Sequence, residues 1–287
     1  ARQPRAANPT IPPESIMTDL HAPALSPAEL EEFHEQGYVR FGHVAPTAEI
    51  DALRHRINQI MLGEVRYKKM LMQLCPSAGD LERSRQTKEF KGSTLKYRKI
   101  QDLEQDPLFL AYIQNPLFRD LTAKIISANI SIFRAMFFNK PAEQGVTINW
   151  HQDGAGGWQL DIPPQITVWT ALDDTSVANG CLQIIPGSHK SIIPEKGDLL
   201  SEEERAIHAP DEKRLYLEME KGEVVLLHNW TLHRSETNST NQPRRAFSVC
   251  YIDAATRQKT SDRAFPQVFP EYQPVDMDAA QEASAAY

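Results

Sequence analysis

The feature that most constrains this chain is a change of texture after Ala128. Beyond it, apolar and β-branched residues come only in short runs, at 130–138, 166–172, 181–185, 223–228 and 246–252. Runs of this length, bounded by turn signals such as Asn179-Gly180, Pro186-Gly187 and Lys221-Gly222, read as strands. No helix-length periodic segment alternates with them, so a parallel sheet with crossover helices is disfavoured. The pattern predicts an antiparallel barrel or sandwich.

The first part of the chain has a helical character. Ser26, Pro27 and an apolar face at Leu30 and Phe33 predict an N-capped helix ending near Gly37. Thr47 opens an amphipathic run through Ile50, Leu53, Ile57, Ile60 and Met61 that stops at Gly63. Asp106-Pro107 and Asn115-Pro116 start two more helices. Between these lie residues 64–97, charged and without sustained period, expected to form a long irregular segment covering a site. The expected organisation is a flexible N-terminal arm, residues 1–22, and a single domain, 23–287, mainly β with an N-terminal helical layer. Met17 is a candidate start, and the alanine-rich end from Ala279 to Tyr287 is expected to be loosely held.

Composition narrows the function. The chain has 287 residues, 41% of them apolar, near the upper size for one hydrophobic core. No apolar stretch approaches the ~20 residues of a membrane helix. A net charge of -7 with scattered basic residues gives no footprint for nucleic acid or an anionic membrane. A small-molecule substrate is the expectation. Cys75, Cys181 and Cys250 are odd in number and lack metal-ligand spacing, which favours a reducing cytoplasm. Residues 1–16 carry four prolines and no apolar core, unlike a secretory signal.

His151 and Asp153 carry the candidate chemistry. In an extended strand they share a face, so an imidazole nitrogen and a carboxylate oxygen can reach one ion. A second histidine would complete the two-His-one-carboxylate facial set suited to Fe(II), which leaves three coordination positions open. On its own, His-x-Asp is a weak signal that more often marks a polar pair at a strand end. The candidates for the second histidine are His233 and His228, five positions apart, with His189 expected to brace the turn after Ile185. The other histidines, at 21, 34, 43, 55 and 208, sit in helical or loop contexts.

A series of stretches resembles the phytanoyl-CoA dioxygenase family, in order and nearly in spacing. They are Lys99 to Asp102, Met136 to Lys140, His151 to Asp153, Trp169 to Leu172, Asn179 to Leu182, Pro186 to His189, His233 to Ser235 with Asn238, and Arg244 to Ser248. The segment between Met136 and His151 is slightly shorter than in the phytanoyl-CoA enzyme itself. The resemblance implies a double-stranded β-helix (jelly-roll, cupin-like) fold. It implies an Fe(II)- and 2-oxoglutarate-dependent oxygenase that hydroxylates an unactivated C–H bond with O2, releasing succinate and CO2, with ascorbate as an activator in vitro. It implies His151, Asp153 and His233 as iron ligands, and Lys99, Met136, Trp169 and Arg244 as contacts of 2-oxoglutarate. A guanidinium at Arg244 meets the distal carboxylate bidentately, and strand alternation points Arg245 the other way. Trp169 and Met136 would also serve as plain core, and Lys99 as a solvated residue.

Asp153 fills the position that related halogenases leave small for halide. Residues 64–97 and the loop Gly154 to Trp158 are expected to gate the site, and the basic excess in the former favours a carboxylate- or phosphate-bearing substrate. Two other classes stand beside the oxygenase. One is a non-catalytic metal- or ligand-binding β-helix protein; the other is a zinc hydrolase, for which no general base is evident beside the ligands.

Overall fold

The computed structural model describes residues 25–76, 84–194, 198–261 and 264–269. The expected arm at 1–22 and the alanine-rich end lie outside the described residues. Helix α1 (Pro27–Gln36) begins with a full capping box between Ser26 and Glu29 and ends at Gly37, which is left-handed at φ 75°. That glycine is required by more than its dihedral. Its carbonyl accepts from the His228 N–H and the Thr231 hydroxyl, and a Cβ there would collide with the His189 ring.

After β1 (Tyr38–His43), α2 (Thr47–Leu62) buries Ile50, Leu53, Ile57 and Ile60, and Gly63 ends it. The segment at 64–97 is less irregular than its composition predicts. Its β2 (Leu71–Leu74) pairs with β3 (Tyr97–Gln101), and Met72 bridges Thr87. These pairings are edge additions to a sheet, too short to leave a period in the sequence. The Asp106 carboxylate caps α3 (Pro107–Ile113) and also accepts from Arg56 and the Tyr67 hydroxyl, so this fully buried charge is satisfied on all sides. Helix α4 (Pro116–Ile125) follows, capped by Asn115.

The remaining strands are β4 (Ile130–Lys140), β5 (Ile148–His151), β6 (Ile166–Ala171), β7 (Leu182–Ile184), β8 (Leu215–Leu217), β9 (Glu223–Leu227), β10 (His233–Ser235), β11 (Arg244–Asp253) and β12 (Gln267–Phe269), with a short helix α5 (Glu202–His208) before β8. They form an eight-stranded and a four-stranded antiparallel sheet. The pairing is nested: β4 with β11, β5 with β10, β6 with β9 and β7 with β8. Successive pairs fall alternately in the large and the small sheet, as when one long hairpin is rolled up. This is the double-stranded β-helix, or jelly roll.

Strand alternation divides the large sheet into two faces. Phe137, Val168, Leu226, Phe247 and Val249 point outward into one core with α2, α3 and α4. Phe247 meets Phe109 edge to face at 4.8 Å, and the Tyr251 hydroxyl donates to the Ile113 carbonyl at 2.8 Å. Inward, Trp169, Ala171, Val225, Leu227 and Ala246 face Leu182, Ile184 and Leu217 of the small sheet. The inner core fills only part of the roll. The rest is a cavity.

Candidate active site

His151 ends β5 and lies opposite His233 of β10 in register, which brings their ring centroids to 4.0 Å. Asp153 is not on the strand. It lies in the following turn, where its N–H donates to the Asn229 carbonyl at 2.8 Å, so a turn rather than strand alternation returns it to the His151 face. One ligand atom from each of the three residues lies within 4.8 Å of the others. Each histidine Nδ1 hydrogen-bonds a carbonyl two residues back, His151 to Asn149 at 2.8 Å and His233 to Thr231 at 2.9 Å. With Nδ1 as donor, each Nε2 is an unprotonated nitrogen aimed at the common point. Burial, and then the neighbouring His151, push His233 down to about 4, so it is neutral at physiological pH. Two imidazole nitrogens and one carboxylate oxygen on one side of an open cavity fit a divalent iron.

Gln152, between the ligands, points away and is fully buried. It donates to the Ser191 carbonyl at 2.9 Å and accepts from the Ile193 N–H at 2.7 Å, which fastens the ligand turn to the next loop. His228 lines the same cavity but outside the triad. Its Nδ1 accepts from the Trp230 N–H, its ring packs on His189, and burial pushes it down to about 4. His189, as its position after the Pro-Gly turn predicts, is structural: its Nε2 hydrogen-bonds the His34 carbonyl.

The cavity, about 220 Å³, brings together every residue singled out from the sequence: the triad, Lys99, Met136, Trp169 and Arg244. Rows across the large sheet explain why. Met136, Ser248, Trp169 and Val225 are successive register partners with inward side chains. Lys140 and Arg244 form the row at the far end. Arg244 is 3% exposed, its guanidinium donates to the Gly180 carbonyl, and among the described residues its Nε has no partner. Burial pulls its guanidinium down to about 10. Arg245 faces the helices instead, held bidentately by Asp173 at 2.7 Å. A buried guanidinium with unmet donors facing a cavity is suited to a carboxylate from outside the chain.

Among the residues that the rolled sheets bring in and sequence reasoning missed are four cations, Arg98, Arg134, Lys140 and Arg234, and Ser235. Lys140 could have been found, since it shares the inward parity of Met136. Burial, then Arg244 and Arg98, push it down to about 7, and Lys99 falls to about 8 by burial and the nearby Arg134. Asp153 is the sole carboxylate among the described lining residues.

The geometry has counterparts in known proteins. The sequence model of phytanoyl-CoA dioxygenase matches residues 33–246. A probable phytanoyl-CoA dioxygenase of Caenorhabditis elegans is 27% identical over 79% of this chain and 75% of its own. The peroxisomal phytanoyl-CoA dioxygenase of Homo sapiens is 25% identical over 84% of this chain and 72% of its own. Among solved structures, EctD from S. alaskensis with 2-oxoglutarate and 5-hydroxyectoine has TM-score 0.65 at 18% identity, covering 83% of this chain and 79% of that one. The 2-oxoglutarate-dependent carbocyclase SnoK has TM-score 0.61 at 20% identity, covering 82% and 87%. These structures share the fold. Matched across most of its length, the chain belongs to the phytanoyl-CoA dioxygenase family.

Proposed function

We propose that this protein is an Fe(II)- and 2-oxoglutarate-dependent oxygenase that hydroxylates a C–H bond of a small molecule. His151, Asp153 and His233 hold the iron; Arg244 holds the distal carboxylate of 2-oxoglutarate, with Lys99, Met136 and Trp169 around it. The observation that carries the reading is a pair of Nε2 atoms and a carboxylate converging in one cavity with a buried, carboxylate-free arginine. When bound, iron with 2-oxoglutarate and O2 supplies the oxidising power, releasing succinate and CO2.

The chain's own residues do the positioning. The Asn149 and Thr231 carbonyls keep both imidazoles in the ligating tautomer, and Asn229 fixes the Asp153 backbone. Met136, Phe138 and Trp169 line the cavity with apolar surface that limits water around the reacting groups. Asp153 occupies the position a halide would need, which favours hydroxylation. A hydrolase needs a general base, and the described lining offers no second carboxylate. Among the described residues no helix is long and apolar enough to cross a membrane. The three cysteines are free, which supports a reducing compartment such as the cytoplasm.

The test is succinate formation from 2-oxoglutarate with Fe(II) and ascorbate, alongside the visible charge-transfer band of the anaerobic Fe(II)–2-oxoglutarate complex. A band without succinate under any candidate substrate leaves a binding protein; neither signal removes the oxygenase reading.

A further inference from the structure

Two cationic ends face each other along β4. Arg134, Met136, Phe138 and Lys140 all line the cavity, so Arg134 and Lys140 lie six residues, roughly 20 Å, apart along the strand. At one end Arg244 and Lys140 wait together. The other end is Arg134, and a fault in the strand puts it there.

The register of β4 against β11 slips between Cys250, opposite Arg134, and Tyr251, opposite Ile132, which leaves Phe133 as an extra residue. Before this bulge the even residues Ile130 and Ile132 pack on the helices; after it the odd residues Ala135 and Phe137 do. At the switch, Phe133 and Arg134 both turn toward the cavity side, as bulges beside active sites often re-aim side chains. The loop after the metal ligands then closes over them. Trp158 stacks on Phe133 at 4.5 Å between centroids, and the Arg134 guanidinium lies 4.2 Å from the Trp158 ring and 4.7 Å from Phe133. These ring faces orient the guanidinium without using its N–H donors. No hydrogen bond or ion pair to the Arg134 side chain is found among the described residues.

Arg134 also stands at a junction. It lines both the metal cavity and an outer cavity of about 500 Å³, whose wall includes Trp158, the cations Lys69 and Lys88 and the carboxylates Asp102 and Glu104. With 2-oxoglutarate drawn to the Arg244 end, the inner cavity has little room beyond the reacting part of a substrate. The outer cavity adjoins the inner one at Arg134, which gives the substrate's body a way out past the guanidinium.

We infer that Arg134 is the specificity residue for the primary substrate, reading a carboxylate or phosphate group on a molecule whose body lies in the outer cavity. This rests on the oxygenase reading and adds the substrate class to it. The guanidinium forms charge-assisted hydrogen bonds to the anion, while Trp158 and Phe133 hold its plane.

The experiment loads the protein with Mn(II) and saturating 2-oxoglutarate and titrates matched probes by calorimetry and tryptophan fluorescence: hexyl phosphate, hexanoate, hexanol and hexylamine. Wild type should bind one or both anions at least about tenfold more tightly than hexanol, and the anion preferred assigns the headgroup. Arg134→Gln should erase the preference and Arg134→Lys should keep part of it. Arg134→Glu should turn it toward hexylamine, a gain that a misfolded variant cannot show. Equal binding of anion and alcohol, a preference that survives in Arg134→Gln, or anions that displace 2-oxoglutarate instead would overturn the inference. In each case the Fe(II)–2-oxoglutarate band still forms before any probe is added, whereas failure of the oxygenase reading means that it never forms.

Discussion

Arg244 and Arg245 are neighbours on β11, and the two faces of the large sheet treat them in opposite ways. Outward, Arg245 meets Asp173 through two bonds and Asn58 through a third, and nearby Arg56 and Tyr67 share Asp106. Inward, among the described residues, the Arg244 guanidinium meets one carbonyl and that of Arg134 meets aromatic faces. Charges on the helix-covered face are matched to other charges. Arg244 and Arg134 in the cavity have no carboxylate partner among the described residues, which is unfavourable for folding alone and is expected where a ligand completes the set.

The comparison breaks most directly at the triad. His151→Ala, Asp153→Ala and His233→Ala should each abolish iron binding and 2-oxoglutarate turnover with little change in melting temperature, because no packing core depends on them. Metal content and succinate formation measure this. If His228→Ala lost iron and His233→Ala kept it, the ligand set would have to be redrawn.

Outside the cavity the order reverses. Asp106→Ala removes the cap of α3 and strands Arg56, which is 5% exposed, and should cost about 4 kcal/mol, on the order of 10 °C in melting temperature. The affinity of the folded protein for 2-oxoglutarate should not change. A variant that melts normally would show that the outer ion pairs do not carry the stability assigned to them.

The adjacent arginines sharpen the contrast. Arg244→Ala should raise the apparent KM for 2-oxoglutarate by roughly one to two powers of ten, about 2 kcal/mol of charge-assisted hydrogen bonding. Arg245→Ala should lower stability and leave KM nearly unchanged. The opposite ranking in parallel titrations would move the clamp to Arg245.

A smaller effect is expected at Lys140. Arg244 of β11, Arg98 of β3, Cys75 beyond β2 and Glu236 beyond β10 all act on it, and burial with the two arginines sets it at about 7. The protonated ammonium attracts a dianion and the neutral amine does not. Affinity for 2-oxoglutarate should therefore fall several-fold as pH rises through about 7, and Lys140→Met should flatten that profile. The sign for stability is opposite. The penalty for a buried cation is full below about 7 and is relieved as pH rises toward the ordinary lysine value of 10.5. A pH-independent KM in wild type would remove Lys140 from the anion's surroundings.

The helices α1 to α4 and the long strands were legible because their caps and periods are local: Ser26 with Glu29, Asp106 with Pro107, Gly37 and Gly63. Strands β5, β8 and β10 were not, being too short to show alternation. Helix α5 buries nothing and so has no apolar face to read. The triad was legible only through the family's motifs, since Asp153 reaches the site by a turn that spacing does not encode. Arg134 was hidden by the unpaired Phe133, because a bulge changes which residues face inward without altering composition.

The gate tests the comparison at its finest grain. From sequence, the Gly154–Trp158 loop offers backbone freedom and a large amphipathic ring where a substrate would enter. In the structure Trp158 is 6% exposed, and the Asp198 carboxylate accepts from the Gly156 and Gly157 N–H groups at 3.3 and 3.0 Å. Gly157 allows this approach, since a Cβ would meet the same carboxylate. The loop is thus held by the Asp198 carboxylate, by the Trp158 stack on Phe133 and by the Gln258 amide on the Trp158 carbonyl, and Lys88 of the strip at 84–96 shares the wall of the outer cavity. Hydrogen exchange should show 2-oxoglutarate with hexyl phosphate protecting 154–158 and 84–96 more than α1 and α2, whose caps and packing already hold them. Asp198→Ala should speed exchange at 154–158 by several-fold before any ligand is added, and ligand should restore part of the protection. Equal rates in wild type and Asp198→Ala, with no ligand effect in either segment, would mean that the loop is fixed by the Trp158 contacts alone and that entry lies elsewhere on the rim.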